Sequence, residues 1–272
     1  MKRYELDKYK FEIINLYIDQ KLSCSKIADK LGCSLCGIYD ALKRWKVSTR
    51  NLRDSHLVYS VNDDYFSEID TEEKAYWLGF IYADGYVTGS KLGITIANLD
   101  RMHLERFKKC IGSDYKIKSY VSNSVYGSCK YCRILINSEK LIKDIKEKGV
   151  IANKSLKLTF PSIKILNRDL YRHFIRGYFD GDGSLVLSSN SINFKFCGTK
   201  EFLEEIVDIF NTVSEYKYNK RLFKRYNDEK NNYYISYGGR LKTFNIMSYL
   251  YDNSTIYLDR KYIKYINLKS TF

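Results

Sequence analysis

The sequence lacks any apolar run long enough to cross a bilayer, and it lacks a secretory signal. Its N-terminus is charged, and no stretch approaches the roughly 18 consecutive apolar residues that a membrane helix needs. These absences exclude a membrane-spanning protein. We therefore expect a cytoplasmic protein with no membrane partner.

A disulfide framework is also missing, because the 7 cysteines are odd in number and irregularly spaced. Reduced thiols fit this usage. Two pairs, Cys33-x-x-Cys36 and Cys129-x-x-Cys132, would make a zinc site only if all four thiolates converged. The first pair lies at an expected helix start and the second in a Tyr/Gly-rich hairpin. We therefore expect separate free thiols.

The chain does have an excess of positive charge. Lys and Arg number 46 against 32 for Asp and Glu, which gives a net charge of +14. Such an excess favours a polyanionic partner, because each neutralised phosphate releases a counterion. The chain is also rich in residues with A/T-heavy codons, so an A/T-rich genome is a second explanation for the lysines. Charge alone leaves both open.

An internal repeat is the most informative feature. Trp77-Leu-Gly-Phe-Ile-Tyr-Ala-Asp-Gly85 matches Ile175-Arg-Gly-Tyr-Phe-Asp-Gly-Asp-Gly183. Apolar periodicity predicts that each copy ends a helix and is followed by similar elements. The expected elements after the two copies are strands at 92–97 and 192–197, helices at 99–111 and 200–210, strands at 131–136 and 233–237, and helices at 138–148 and 241–250.

Two such halves predict an α+β fold. It consists of two pseudo-twofold-related α-β-β-α-β-β-α units whose sheets form a DNA-binding saddle, preceded by a small all-α helix-turn-helix domain. The expected boundaries are 1–50 for the helix-turn-helix DNA-binding domain, 51–70 for a linker, 71–165 for the first half and 166–272 for the second.

Small residues recur at a spacing of four in both motif helices, which are expected at 73–84 and about 169–182. Gly79 and Ala83 lie in the first copy, and Gly177 and Gly181 in the second. This spacing lets two helix backbones approach closely, and interior glycine costs a helix roughly 1 kcal/mol. Both helices carry that cost in register, so we expect them to pack on each other.

An aspartate ends each motif helix, Asp84 in one and Asp182 in the other. The following Gly85 and Gly183 are expected to be left-handed caps. A helix C-terminus already carries partial negative charge, so two such carboxylates side by side are unfavourable. Divalent cations would relieve the repulsion, and carboxylate oxygens suit Mg²⁺. This arrangement is typical of a phosphodiester-cleaving metal site.

The two nonapeptides resemble the motifs of the LAGLIDADG homing endonucleases, and the resemblance covers about residues 71–265. It implies a monomer whose motif helices form the central interface. It also implies that Asp84 and Asp182, with the adjoining Ala83 and Gly181, bind Mg²⁺, and that each half cleaves one DNA strand. Tyr82 departs from the family name at a position that does not bind the metal. Its counterpart Asp180 is expected to be structural or solvated.

Family members also carry basic residues near the metal, which implies that Lys154 and Lys261 are catalytic. The alternative for each is a solvated or phosphate-contacting lysine. Basic residues in or beside the expected hairpins would contact phosphates or read bases. The candidates on this surface are Lys116, Lys118, Arg133, Lys195, Arg221 and Arg225.

The segment from Ser23 to Trp45 predicts a helix, a Gly turn and a second helix capped by Ser34. It resembles a helix-turn-helix whose second helix enters the major groove. Ser34, Tyr39, Lys43 and Arg44 would then face DNA. The alternative is a small helical packing domain.

The function implied is a site-specific, Mg²⁺-dependent double-strand DNA endonuclease, typically encoded in an intron or phage genome. The chain begins with Met and does not end in His-Asn, so we expect a free-standing protein. Two alternatives remain: a maturase that binds group I intron RNA, and a transcription regulator with an inert endonuclease-like domain. Neither alternative needs the two motif aspartates, which would then be free to change in sequence. The presence of Asp84 and Asp182 therefore favours the enzyme.

Overall fold

The computed structural model describes residues 3–20, 22–49, 59–125, 127–152, 154–188, 191–224 and 230–272. The chain divides into two compact units, residues 1–59 and 60–272. Within the described residues, no helix has both the length and the apolar character needed to span a membrane.

The N-terminal unit is helical, as predicted. Its helices are α1 (Arg3–Leu6), α2 (Lys10–Ile18), α3 (Cys24–Leu31) and α4 (Leu35–Arg44). The Ser23 hydroxyl accepts from the Lys26 amide at 3.2 Å, and the Ser34 hydroxyl accepts from the Gly37 amide at 3.0 Å. Gly32 ends α3 in the left-handed region at φ +62°. These caps satisfy amide groups that a helix start leaves unpaired.

The larger unit contains the two predicted halves, and the α-β-β-α-β-β-α order of each is confirmed. The elements of the first half are α5 (Glu72–Asp84), β1 (Gly85–Thr88), β2 (Lys91–Ala97), α6 (Arg101–Cys110), β3 (Lys118–Ser124), β4 (Gly127–Asn137) and α7 (Glu139–Glu147). Those of the second half are α8 (Tyr171–Asp182), β5 (Ser184–Ser188), β6 (Ser191–Gly198), α9 (Lys200–Val213), β7 (Phe223–Lys224), β8 (Tyr233–Gly238) and α10 (Arg240–Tyr251). A further helix, α11 (Asp259–Lys269), was not predicted.

Each half has one antiparallel sheet of four strands, in the orders β1-β2-β4-β3 and β5-β6-β8-β7. Side chains alternate across a strand, so each sheet has two chemically different faces. In β2 and β4 the paired Leu92 and Ile136, and the paired Ile94 and Ile134, are completely buried. Thr95 and its partner Arg133, which adjoin the second of these pairs, lie on the opposite and more open face.

The core centres on α5 and α8, which pack on each other at glycine. A Cβ on Gly79 would lie 2.0 Å from the Phe174 carbonyl oxygen, and one on Gly177 would lie 2.0 Å from that of Tyr76. The two backbones therefore touch, and no larger residue fits at either position. Helix α5 is buried all round from Ala75 to Tyr82, which explains why its sequence has no polar stripe.

The expectation of left-handed caps at the two motif ends was wrong. Gly85 has φ −81° and Gly183 has φ −79°, because the chain passes directly from each helix into a strand. Both positions instead require glycine because there is no space for a Cβ atom. A Cβ on Gly85 would lie 2.7 Å from the Ile81 side chain, and one on Gly183 would lie 2.0 Å from the Phe179 ring.

Candidate functional site

The two motif aspartates lie at the C-terminal ends of α5 and α8, where these helices contact each other. Asp84 is half-buried and lies against the other helix, since a Cβ on Gly181 would be 3.3 Å from Asp84 Oδ2 and 2.3 Å from the Ala83 Cβ. Asp182 is exposed. Burial, and next the charge of Asp182, raise the pKa of Asp84 to about 7. The two carboxyl groups thus share one electrostatic site.

Two buried lysines accompany this acid pair, one for each helix end. Lys154 Nζ donates to the Ala83 carbonyl oxygen at 2.8 Å, and Lys261 Nζ donates to the Gly183 carbonyl oxygen at 2.7 Å and to that of Phe179. An ammonium group at a helix C-terminus is favourable, because the last carbonyls carry partial negative charge. Both contacts direct a positive charge to the acid pair.

Burial shifts the titration of both lysines. It lowers the pKa of Lys154, while the Asp182 and Asp84 carboxylates oppose that change. Burial likewise lowers the pKa of Lys261 to about 8, against the opposing charges of Asp180, Asp84 and Asp182. Lys261 can therefore exchange a proton near neutral pH.

Asp180, the unmatched acid of the second motif, is buried behind the site. Its carboxylate accepts from the Tyr76 hydroxyl at 2.7 Å, from the Leu258 amide at 2.7 Å and from the Tyr251 hydroxyl. Burial raises the pKa of Asp180. These contacts make Asp180 a link between α5, α8 and the start of α11, which is a structural role.

Arg176 is a buried residue of the second motif that sequence reasoning missed. Its guanidinium donates to the Leu250 carbonyl at 2.8 Å, to the Ile256 carbonyl at 2.9 Å and to Glu72 Oε1 at 2.6 Å. It therefore holds the segment between α10 and α11 against both motif helices. Arginine is seldom buried, and nothing in the local pattern marked this one.

The acid pair fits a hard divalent cation better than a soft one. Among the described residues, no group of three or more His, Cys, Asp or Glu side chains is placed to hold a metal ion. Two carboxylates suit Mg²⁺, which needs few protein ligands. Burial is the main cause of the raised pKa of Asp84, and the charge of Asp182, which a cation would offset, is the second. Ala83 and Gly181 adjoin these carboxylates, and the Ala83 carbonyl already accepts from Lys154.

The predicted basic residues of the sheets are distributed over both halves. Arg133, half-buried, and Lys118, exposed, are cross-strand partners on the open face of the first sheet, and Lys116 precedes β3. In the second half, Lys195 lies on β6 and Arg221 just before β7. Arg225 lies outside the described residues.

The predicted DNA-contacting residues of the N-terminal unit differ in how exposed their side chains are. Ser34, Tyr39 and Lys43 are exposed on or beside α4. Arg44 instead donates to Asp7 Oδ1 at 2.6 Å and lies over the Trp45 ring, so much of its guanidinium is already engaged. This makes Arg44 the weakest of the four candidates for contacting DNA.

The two cysteine pairs lie in different compact units. Cys132 is buried while Cys129 is exposed, because residues three apart on a strand point to opposite faces. Cys33 and Cys36 belong to the other compact unit. All seven cysteines are free thiols.

A family model described as a LAGLIDADG-like domain matches residues 71–148 and 169–269, which include both motif helices. The chain belongs to this family. Among curated proteins, the replication factor C small subunit of Methanocaldococcus jannaschii is 27% identical over 256 residues. That alignment covers 86% of this chain but 13% of the relative, so the chain spans only a small part of the relative's length.

Solved structures share the fold at low sequence identity. The homing endonuclease I-WcaI, bound to its DNA recognition sequence, has a TM-score of 0.50 and 15% identity, covering 73% of this chain and 89% of that one. I-SmaMI bound to cleaved DNA has a TM-score of 0.48 and 14% identity, covering 75% and 89%. Full-length DUF199/WhiA from Thermatoga maritima has a TM-score of 0.47 and 11% identity, covering 77% and 66%.

Proposed function

We propose that the chain is a site-specific, Mg²⁺-dependent endonuclease that cleaves both strands of duplex DNA. The observation that carries the proposal is the juxtaposition of Asp84 and Asp182 at two touching helix ends, each end contacted by a buried lysine. If the interface between α5 and α8 served only to hold the fold together, two neighbouring carboxylates at negatively polarised helix ends would not stabilise it. One chain carries both halves, so we expect it to act as a monomer in the cytoplasm.

In this proposal Asp84 and Asp182 are the residues that would hold Mg²⁺. The bound cation would supply Lewis-acid stabilisation of charge that develops on a phosphate oxygen. The Lys154 ammonium uses one of its three N–H donors on Ala83, and that of Lys261 uses two on Phe179 and Gly183. The remaining donors are free to offset charge on the phosphate. Lys261 Nζ, with a pKa of about 8, can also deliver a proton.

Duplex DNA is the proposed partner because cationic side chains lie on the open faces of both sheets. The shared fold with I-WcaI, whose structure is a complex with its DNA recognition sequence, supports the same partner. The exposed residues of α4 would add contacts through a helix in the major groove.

Two competing functions use the same fold without strand cleavage. A transcription regulator would need only DNA binding, for which the N-terminal helical unit is an argument. A maturase would bind group I intron RNA instead. Neither function requires the acid pair or the two lysines at its side.

Cleavage selection separates these possibilities. The full chain is incubated with a library of randomised DNA duplexes and with Mg²⁺ or EDTA, and cut products are sequenced. We expect cleavage at one preferred sequence with Mg²⁺ only, reduced more than about 100-fold by Asp84→Asn or Asp182→Asn. Asp169→Asn, which changes an exposed aspartate outside the site, is the matched control and should cut normally. Sequence-specific binding without cleavage would support the regulator and reject the enzyme.

A further inference from the structure

A row of polar side chains crosses the open face of the first sheet. Thr95 on β2, Arg133 on β4 and Lys118 on β3 are direct cross-strand partners, so all three point to the same side. Arg133 Nε donates to Thr95 Oγ1 at 3.0 Å. One end of the guanidinium is therefore fixed to the sheet.

Two tyrosines support the same guanidinium. Tyr120 and Tyr131, paired across β3 and β4, stack with ring centroids 5.2 Å apart and planes at 15°. The guanidinium carbon of Arg133 lies over both rings, 5.4 Å and 5.9 Å from their centroids. Cation–π contacts of this kind hold an arginine in place before a ligand arrives. Little rotamer freedom is then left to lose on binding.

The free edge of this arginine decides what it can bind. Its Nη1 and Nη2 groups make no hydrogen bond to any residue that the structure describes, whereas Nε is occupied by Thr95. Two parallel N–H donors at the end of a rigid side chain match the O6 and N7 acceptors of guanine in the major groove. A phosphate contact would not need the Nε anchor or the aromatic support, since phosphate tolerates a mobile cation.

The second sheet carries two cations over one aromatic pair, because the guanidinium carbon of Arg221 lies 4.8 Å from the centroid of the Phe223 ring. Lys195 Nζ lies 3.8 Å from the centroid of the Tyr234 ring, which stacks on Phe223 at 5.2 Å. Lysine is a point charge without a planar fork, so it cannot make the bidentate pair that arginine makes. Arg133 differs from Lys195 in its planar fork, and its Nε contact with Thr95 fixes that fork to the sheet.

We infer that Arg133 is a specificity-determining residue that reads one guanine through its major-groove edge. The inference rests on the proposed DNA partner but not on strand cleavage. The target accordingly contains a required G·C pair on the side bound by the first half.

Binding selection tests the inference independently of catalysis. The full chain carrying Asp84→Asn and Asp182→Asn is used without Mg²⁺ to select from a library of randomised duplexes. Arg133→Lys, Arg133→Ala and Thr95→Val are then made in that background. Lys118→Ala, which removes one charge from the same face, is the matched control. Affinities are measured for the selected duplex and for its G·C→A·T variant at several salt concentrations.

We expect the parent protein to prefer guanine at one position by about 5- to 100-fold, and Arg133→Lys to abolish most of that preference. Thr95→Val should weaken the same preference partly, because the charge remains while the Nε anchor is lost. Lys118→Ala should weaken binding to both duplexes equally and reduce the salt slope by about one.

If Arg133→Lys behaves like Lys118→Ala, with uniform weakening and an unchanged base preference, the inference is wrong and Arg133 contacts phosphate. A parent protein that selects no sequence also overturns it. If the guanine preference depends on Arg133 but the protein with both aspartates fails to cut the selected duplex, the inference stands and the endonuclease proposal fails.

Discussion

The first and second halves of the larger unit place a lysine at a motif helix end by different means. In the first half, Lys154 belongs to the short turn Lys154–Leu156 after α7, and the motif residue Tyr82 donates from its hydroxyl to the Lys148 carbonyl at 2.5 Å. In the second half, Lys261 lies on the additional helix α11. The same cation-to-carbonyl contact therefore has two unrelated supports.

The support in the second half is the more elaborate one. Asp180 accepts from the Leu258 amide at the start of α11. Two ion pairs then join α11 to the first half, with Arg106 2.8 Å from Asp259 and Arg260 2.9 Å from Asp100. A duplicated site of this kind needs to conserve only the final contact, while the scaffold behind it is free to diverge.

The largest expected difference concerns the two lysines. Lys154→Met and Lys261→Met should each slow Mg²⁺-dependent cleavage by about 10²- to 10³-fold, because each removes a charge that offsets negative charge on the phosphate. Since each lysine serves a different helix end, each variant should impair one strand more than the other. Nicked circles should then accumulate when a supercoiled plasmid carrying the target is cut.

Gel assays that separate supercoiled, nicked and linear plasmid measure both strand rates. Lys164→Met, which removes an exposed lysine outside the site, is the control and should cut at the normal rate. A variant of either buried lysine that linearises plasmid at the rate of the unmodified protein would end its assignment as catalytic.

The next comparison sets Asp180 against its counterpart Tyr82. Asp180→Asn should lower the free energy of unfolding by about 2–3 kcal/mol, because an amide nitrogen would face donors that now bind a carboxylate oxygen. Tyr82→Phe removes one hydrogen bond and should cost about 1 kcal/mol. Urea unfolding of both variants measures the difference. If both variants lose the same free energy of unfolding, then Asp180 stabilises the second half no more than Tyr82 stabilises the first.

The last comparison sets the two acids against each other in the absence of divalent cation. The pKa of Asp84 is raised to about 7 in the folded chain, against about 4 when unfolded, so its ionisation opposes folding. The cost is absent below about pH 4, grows between pH 4 and 7, and is constant above pH 7. Asp84→Asn should therefore raise the free energy of unfolding by about 1–2 kcal/mol at pH 8 and leave it unchanged at pH 4. The Tm should rise at pH 8 only.

Asp182→Asn should raise Tm less, because Asp182 is exposed. Addition of Mg²⁺ should raise the Tm of the unmodified chain at pH 8 and leave that of the Asp84→Asn, Asp182→Asn double variant unchanged. Differential scanning fluorimetry at the two pH values, with and without Mg²⁺, measures all of these shifts. A rise for Asp84→Asn that is equal at pH 4 and pH 8 would show that ionisation of Asp84 is not the source of the destabilisation.

Much of the fold follows from periodicity and repetition. The motif helices, the alternating strands and the apolar faces of α6 and α9 are local patterns, and repetition of the whole set predicted the two halves. The proximity of Asp84 and Asp182 was also predictable. Each ends a helix that carries glycine, and two helices that pack closely at glycine bring their ends together. The contact between α5 and α8 could be predicted from the spacing of small residues alone, without knowing which side chains meet.

What the sequence did not reveal depends on long-range contacts. Helix α11 was missed because several of its apolar residues, including Ile263 and Ile266, are exposed, which weakens its periodic pattern. The burial of Arg176 depends on carbonyls far along the chain at Leu250 and Ile256. The extended conformation of Gly85 and Gly183 was missed because the strand that begins at each helix end overrides the usual cap.

The glycine contact between α5 and α8 has a consequence for exchanging parts between proteins. Since main chain meets main chain at Gly79 and Gly177, the gap between the helices is set by atoms that every polypeptide shares. Either sheet with its outer helices could be exchanged for that of a relative without altering how far apart the two carboxyl groups stand, provided the glycines are kept. If the proposed function holds, the residues that recognise DNA and those that cleave it could be exchanged independently.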